Sequence, residues 1–202
     1  MSETVKRPLV AVAYHSGYGH TAVLAEGGRR GAEKAGAEVA FIPVDAITDA
    51  DWQRLDEADA IIFGAPTYMG GASAAFHAFA EATSGRYLGN AWADKIAAGF
   101  TNSASKSGDK LYSLNFMAAL AAQHHMIWVG LGLPPGWNAL TAAEDDLDRP
   151  VFWIGVAASP PPQDGGIDTV HAADIATAEH LGARVARQAE INIAGKNALA
   201  RR

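Results

Sequence analysis

Short runs of almost wholly apolar residues recur along the chain and alternate with longer stretches in which apolar residues follow helical spacing. A short apolar run rich in β-forming residues is typical of a strand that is buried on both faces. Such runs predict strands over residues 9–14, 38–44, 58–67, 95–101, 126–132 and 151–157. The stretches with helical spacing predict helices over residues 21–35, 49–57, 72–83, 109–125 and 171–190.

This alternation of strands and helices predicts an α/β fold. Right-handed crossovers then build a parallel sheet with helices on both faces. In such doubly wound sheets, ligands bind at the carboxyl ends of the strands, near the point where the strand order reverses. The loops after the first, third and fourth strands are therefore the candidate binding loops. Leu133 to Pro150 reads as irregular, and Ser159 to Gly166 is a turn-rich loop.

Composition narrows the class of protein further. The 202 residues can bury one substantial core, so we expect a single domain over 1–202, with a flexible tail at 1–8 and an irregular insertion at 133–150. A net charge of −6 with scattered basic residues argues against a nucleic-acid partner. The absence of cysteine excludes disulfides and thiolate chemistry.

The chain also lacks the sequence features of a membrane or secreted protein. No apolar stretch reaches the roughly 18 to 20 residues that a membrane span needs. The polar N-terminal residues do not form the apolar region of a signal peptide. We therefore expect a cytoplasmic protein with no membrane partner.

The loop after the first strand, His15 to Thr21, precedes a predicted helix. The first N–H groups of a helix are unpaired and its dipole favours negative charge there, so an anion can bind without a basic side chain. The hydroxyl groups of Ser16 and Thr21 can donate hydrogen bonds to that anion. The loop therefore suits a phosphate, although an ordinary turn between strand and helix is the simpler alternative.

The same loop also fits the dinucleotide pattern G-x-G-x-x-G/A, through Gly17, Gly19 and Ala22. That pattern requires an acidic residue at the end of the second strand. Glu38 lies at the start of that strand, and Asp45 falls too late. A mononucleotide phosphate and a dinucleotide pyrophosphate both remain possible from this loop alone, and the missing acidic residue favours the mononucleotide.

The two other loops have complementary chemistry. Gly64 to Gly71 ends a buried strand and carries Tyr68 and Met69, which suit the face and edge of a flat aromatic ring. Thr101 to Gly108 is polar and offers many hydrogen-bond donors, as a ring edge rich in carbonyls and nitrogens requires. A Pro-Gly turn and a solvated helix cap are the respective alternatives.

Taken together, these loops resemble those of the flavodoxin-like FMN proteins, and more narrowly the tryptophan-repressor-binding-protein type of NAD(P)H:quinone oxidoreductase. The resemblance rests on an ordered set of motifs: SGYGHT, GAPTYMG, AAQHHMIWVGLG, FWIGVAASP and ATAEHLGARVA. It extends over nearly the whole chain. It implies a five-stranded parallel sheet of order 2-1-3-4-5 and non-covalently bound FMN.

The resemblance also implies which residues bind the flavin. The phosphate is expected on the first loop, the isoalloxazine ring against the second, and its other edge near the third. The expected cofactor-binding residues are Ser16, Gly17, Tyr18, Gly19, His20, Thr21, Pro66, Thr67, Tyr68, Met69, Gly70, Asn102, Ser103, Ala104, Ser105, Lys106, Ser107 and His124.

The resemblance assigns substrate and catalytic roles as well. His124 matches the histidine that the family places beside the flavin, and we expect it to hydrogen-bond the acceptor or to supply a proton. Tyr18 matches a position associated with the nicotinamide nucleotide. Tyr87 is the nearest match to a tryptophan over the substrate site, with Trp92 as the other candidate. The spacing of the histidines and carboxylates does not favour a metal site.

One departure from the family concerns the third loop, which carries Ala104 and Lys106 where glycine is usual. If those positions require a positive φ, this loop must have a different shape. The expected reaction is ping-pong hydride transfer from NAD(P)H through FMN to a quinone. The alternatives are a one-electron carrier and a flavin-binding protein without its own substrate. The family implies a homodimer or homotetramer.

Overall fold

The computed structural model describes residues 6–160 and 166–201. Its strands are β1 Leu9–Tyr14, β2 Glu38–Pro43, β3 Ala60–Tyr68, β4 Gly71–Ala72, β5 Ile96–Asn102, β6 Ile127–Trp128 and β7 Val156–Ala158. Its α-helices are α1 His20–Lys34, α2 Asp49–Glu57, α3 Ala74–Ala82, α4 Ser84–Leu88, α5 Lys110–Gln123 and α6 Ala172–Ala200.

The strands form one sheet in the order β2-β1-β3-β5-β6, and all these neighbours are parallel. The two-residue β4 is antiparallel to the end of β3 and forms a small hairpin outside this series. Without that hairpin, the order is the expected 2-1-3-4-5. The predicted doubly wound α/β fold is therefore confirmed.

The fifth strand differs from the prediction of one continuous strand over 126–132. β6 pairs with Ile96 and Ala97 at the start of β5, and β7 pairs with residues 100–102 at its end. Between them the chain leaves the sheet. There the N–H of Leu131 donates to Trp153 O at 2.9 Å and not to β5. The strand predicted over 151–157 therefore supplies the second half of the fifth strand position.

The core has two layers, one on each face of the sheet. Val10 and Val12 of β1 pack towards α1 and α6, whereas Ala11 and Ala13 pack towards α2, α3 and α5. Successive side chains of a strand point to opposite faces, so a strand covered on both sides must be apolar throughout. This is why polar and apolar residues do not alternate along the predicted strands.

One helix was not predicted, and another extends ten residues beyond its predicted end, whereas the other bounds agree within two residues. The short α4 was not predicted, because none of its residues is buried and its sequence has no apolar periodicity. α6 ends at Ala200 and not at Glu190, although its last buried residue is Ala189. The final turns leave the core, so apolar periodicity stops there while good helix formers continue the helix.

Part of the expected flexible tail at 1–8 contacts the body of the protein. The ammonium group of Lys6 lies 3.0 Å from Asp59, and the Arg7 guanidinium donates to Gly36 O at 2.9 Å. Residues 1–5 of that tail lie outside the described residues, as do residues 161–165 of the turn-rich loop at 159–166.

Candidate functional site

A cleft of about 530 Å³ opens at the carboxyl ends of β1, β3 and β5, as the fold class predicts. A narrow recess continues it towards the sheet. Together the cleft and the recess are lined by Tyr18, His20, Thr21, Thr67, Tyr68, Met69, Gly70, Asn102, Ser103, Ala104, Ser105, Gly108, Asp109 and Pro160. The structure therefore brings residues from all three predicted loops together.

The first loop leads directly into the N-terminus of α1. Gly19 has a φ of 91°, a conformation that favours glycine, and it precedes the first helical residue. The N–H of Ala22, in the first turn, donates to Ser16 Oγ at 3.0 Å. Hydroxyl and N–H groups thus converge at the positive end of a 15-residue helix, which suits a phosphate.

The ring of Tyr68 packs so close to Gly17 that it leaves no room for a side chain there. A Cβ atom at Gly17 would lie 2.5 Å from the hydroxyl oxygen of Tyr68, so a larger residue would displace that ring. Tyr68 in turn meets Tyr18 edge to face, with 6.0 Å between the ring centroids. Burial raises the pKa of Tyr68, so its hydroxyl stays protonated at neutral pH and can donate a hydrogen bond.

Buried hydroxyl and amide groups form the floor of the cleft. Thr67 Oγ1 lies 2.8 Å from both Thr101 Oγ1 and Ser113 Oγ. Thr21 Oγ1 donates to Asn102 Oδ1 at 2.5 Å. Because these bonds join the ends of β3 and β5 to the first turns of α1 and α5, they hold the cleft in one shape.

The rim of the cleft carries exposed aromatic and thioether side chains among polar ones. Tyr18 is 66% exposed and Met69 is fully exposed, and the ring of Tyr112, which is 65% exposed, lies beside Gly71 at the end of the second loop. Met69 and Gly70 both have a positive φ, so the chain turns sharply and leaves the Met69 side chain in solvent. Among the described residues that line the cleft, Asp109 is the only acidic one.

The third loop contributes in part as predicted. Asn102, Ser103, Ala104 and Ser105 line the cleft or its recess. Lys106 and Ser107 instead line a separate hollow of about 510 Å³, with Trp137, Phe152 and Arg149 among its walls. The loop does not require glycine at positions 104 and 106, because its positive φ angles fall at Gly108 and Asp109.

His124 and Tyr87 do not lie at this cleft within one chain. His124 follows α5 beside the start of β6, whereas the cleft lies at the opposite end of the sheet. Seven residues of β5 separate the two ends, which is about 20 Å at the usual rise of a strand. His124 and Tyr87 share a different cleft of about 380 Å³.

His124 is held firmly at that second cleft. Its Nε2 lies 2.8 Å from Thr83 Oγ1, and its ring lies 4.7 Å from that of Trp92. Its Nδ1 is buried and makes no hydrogen bond within the described residues. Burial, followed by the charges of His125 and Arg86, lowers the pKa of His124. Trp92 is fully buried, so it cannot cover a substrate.

Sequence analysis missed several residues of the site. Asp109, which precedes α5, lines the cleft, and Ser113 in the first turn of α5 hydrogen-bonds Thr67 in its floor; the two residues are four apart, which is helical spacing. That spacing is the signal that could have identified them. The buried Lys110 gives no such signal, because a lysine at a helix start is normally expected in solvent.

Neither a metal site nor a membrane helix is found in the part of the chain that the structure describes. No group of three or more His, Asp or Glu side chains is placed to hold a metal ion in residues 6–160 and 166–201. In the same residues, no helix combines the length and apolarity that crossing a membrane requires.

A known protein family, two curated proteins and a solved structure each match more than half of this chain. The family model described as NADPH-dependent FMN reductase matches residues 18–133. Flavodoxin FldP of Pseudomonas aeruginosa is 41% identical and covers 87% of this chain and 94% of its own. An NAD(P)H dehydrogenase (quinone) of Archaeoglobus fulgidus is 30% identical and covers 90% and 97%. The solved WrbA-like flavodoxin of Agrobacterium tumefaciens is 39% identical, covers 92% and 99%, and gives a TM-score of 0.73.

Proposed function

The chain belongs to the NADPH-dependent FMN reductase family, and on this premise we propose that it is an FMN-dependent NAD(P)H:quinone oxidoreductase. The resemblance to flavodoxin-like proteins of the tryptophan-repressor-binding-protein type is confirmed, with FMN as the cofactor. An oxidoreductase follows from the family and its named relatives. The quinone and the roles of individual residues are parts of the proposal.

The residues of the cleft fit FMN. The start of α1 offers N–H groups and the Ser16 hydroxyl to a phosphate, whereas the Thr21 hydroxyl donates to Asn102, and the buried floor of Thr67 and Asn102 can hydrogen-bond a polar chain. Tyr68 and Met69 line the cleft, so a flat ring bound there can pack against them. No lysine or arginine is needed at the phosphate, because the helix N-terminus supplies the positive potential.

The observation that carries the quinone proposal is the character of the rim. Tyr18 and Met69 expose aromatic and thioether surface at the cleft, and Asp109 is the one charged residue among the described cleft residues apart from His20. Such a surface suits flat, weakly charged molecules such as a nicotinamide or a quinone ring. Bound FMN supplies the hydride chemistry between the two.

The chain's own residues then orient the reactants. Tyr18 contacts the nicotinamide nucleotide, as the family position suggests, and Tyr68 donates a hydrogen bond from its protonated hydroxyl. Both substrates would use the same open side of the cleft, so one must leave before the other enters. This order gives ping-pong kinetics.

The role proposed for His124 requires a second copy of the chain. His124 and Tyr87 lie about 20 Å from the cleft of their own chain, at the far end of β5. We propose a homodimer or homotetramer in which the second cleft of one copy faces the flavin of another. His124, with its lowered pKa, is then neutral at pH 7 and can hydrogen-bond the acceptor.

A one-electron carrier is the second candidate, because the 41% identical relative is named a flavodoxin. A carrier must bind a protein partner at the flavin, and electrostatic steering of such encounters uses strongly charged rims. The weakly charged rim observed here favours small substrates over that mode of binding. The cytoplasmic location expected from the sequence stays a prediction.

The proposal is tested by a steady-state assay. Purified protein loaded with FMN is mixed with NADH or NADPH and benzoquinone, and oxidation of the nucleotide is followed at several fixed quinone concentrations. We expect turnover with parallel double-reciprocal lines, the mark of a ping-pong mechanism. Lack of turnover by protein that carries FMN would refute the enzyme and leave the carrier.

A further inference from the structure

Lys110 is a completely buried lysine beside the cleft, and the proposed chemistry does not use it. It is the first residue of α5, directly after the third loop. A buried ammonium group is costly unless oxygen atoms surround it. Lys110 Nζ donates to Ser105 O, to Lys106 O at 3.1 Å and to Ser159 Oγ at 2.9 Å. Three acceptors thus satisfy it.

Two of those acceptors are main-chain carbonyls of the third loop, and this fixes the direction of the loop's N–H groups. In a trans peptide unit, the carbonyl and the next N–H point in opposite directions. With Ser105 O and Lys106 O turned towards the interior, the N–H groups of Lys106 and Ser107 point outwards. Within the described residues, neither of these N–H groups donates to a protein acceptor.

This arrangement explains how the peptide units of the third loop are oriented although Ala104 and Lys106 stand where glycine is usual. A glycine-rich loop can turn its N–H groups towards a ligand by adopting a positive φ. Here Ala104 and Lys106 keep ordinary φ angles, and the left-handed turn is confined to Gly108 and Asp109. The ammonium group of Lys110 takes over the task of orienting the peptide units between them.

We propose that Lys110 is a positioning residue of the flavin site, which holds the third loop in the conformation that places Ser103 and Ser105 at the cleft, where they can meet the ring edge of FMN. Its positive charge behind the loop also favours the more negative, reduced flavin over the oxidised form. The inference rests on the FMN site proposed above.

The charges around Lys110 are consistent with this role. Burial lowers the pKa of Lys110 to about 8, the nearby Arg149 adds to that effect, and Asp174 opposes it. Arg149 and Asp174 are paired with each other at 2.8 Å, so their charges largely cancel. The ammonium form is therefore present below pH 8 and is lost as the pH rises through that value.

The chain offers a matched control in Lys95. This lysine is also buried, donates to three carbonyls (Leu55 O, Asp56 O and Ala58 O) and has a pKa lowered to about 8, chiefly by burial. It lies just before β5, at the end of the sheet opposite the cleft. Lys95→Met therefore removes the same kind of interaction without touching the third loop.

The experiment compares FMN binding by apo-protein, measured by quenching of flavin fluorescence, and the midpoint potential of the bound flavin. We expect Lys110→Met to raise the Kd for FMN about tenfold or more, which is typical of losing hydrogen bonds to a charged group. Reduced FMN should lose about tenfold more affinity than oxidised FMN. That difference lowers the two-electron potential by about 30 mV. Lys95→Met should leave both quantities unchanged.

The pH dependence of the Kd for FMN tests the role of Lys110 even if the Lys110→Met variant does not fold. The Kd of the wild-type protein should rise above about pH 8, and the same rise should persist in Lys95→Met but vanish in Lys110→Gln. Wild-type protein that does not bind FMN would refute the flavin site itself. Wild-type protein that binds FMN with a flat pH profile, or a Lys110 variant with wild-type Kd and potential, would refute the positioning role alone.

Discussion

At the residue scale, the hydroxyl group of Ser16 connects the first loop to the start of α1, where we propose that the FMN phosphate binds. Its oxygen accepts the N–H of Ala22 at the N-terminus of α1, where negative charge is stabilised. The type and order of the loop residues predicted a phosphate site here, and that assignment stays a prediction. They could not predict that Lys106 and Ser107 turn into a separate hollow, because that depends on the buried Lys110 behind them.

Replacing Ser16 with Glu separates binding from folding. A carboxylate at this position can accept the same N–H group, so the helix N-terminus stays capped and the protein stays folded. It also places a negative charge where we propose that the FMN phosphate binds, and we expect the Kd for FMN to rise at least about a hundredfold. Fluorescence titration of apo-protein measures this change.

Ser16→Ala is the control for that variant. It removes the hydroxyl group without adding charge, so the Kd should rise by about tenfold or less. A Ser16→Glu protein that binds FMN within threefold of the wild type would show that the phosphate does not occupy this helix N-terminus.

At the scale of elements, the contact between α1 and α6 depends on small residues. A Cβ atom at Gly182 would lie 2.0 Å from Gly28 O, and one at Gly31 would lie 1.9 Å from Glu179 O. The two backbones therefore approach closely. Helical spacing predicted both helices, but it could not predict this contact, because glycine within a helix carries no apolar signal.

Gly182→Ala is expected to destabilise the protein by about 1–3 kcal/mol, because the added methyl group forces the helices apart. Gly195→Ala is the matched control in the same helix, where nothing lies within 4 Å of the added atom. Alanine is a better helix former than glycine, so that change should stabilise by up to about 1 kcal/mol. Urea unfolding measures both. Equal free energies of unfolding would contradict the close contact.

The split fifth strand is the element that the sequence predicted least well. Apolar runs correctly placed strand segments at Ile127–Trp128 and Val156–Ala158. Both runs pair with β5, one at each end, while the residues between them leave the sheet. Periodicity describes each run by itself and cannot show that two distant runs share one strand position.

At the scale of the whole molecule, the alternation of elements predicted a parallel sheet and the end of the sheet that carries the cleft, and the family resemblance implied the strand order. Neither could predict the separation between His124 and the cleft. A resemblance assigns a role to a residue without saying which copy of the chain supplies it. The single-domain prediction for residues 1–202 stays a prediction.

Mixed oligomers test the proposed role of His124. We expect the His124→Ala homo-oligomer to lose most quinone turnover while it keeps FMN, and the Ser16→Glu homo-oligomer to lose FMN. If one copy's His124 serves another copy's flavin, oligomers that contain both variants should regain part of the activity. Mixed oligomers as inactive as the two parents, or a monomer by light scattering, would contradict the shared site.

The central claim is that this cleft passes electron pairs from NAD(P)H to a quinone, and an anaerobic rapid-mixing experiment tests it most directly. The FMN-loaded protein is first reduced with one equivalent of NAD(P)H and then mixed with benzoquinone, while the visible spectrum of the flavin is recorded. We expect full bleaching in the first step and full recovery in the second, at rates no slower than steady-state turnover. Failure of NAD(P)H to bleach the flavin, or a stable one-electron-reduced flavin during reoxidation, would contradict the claim.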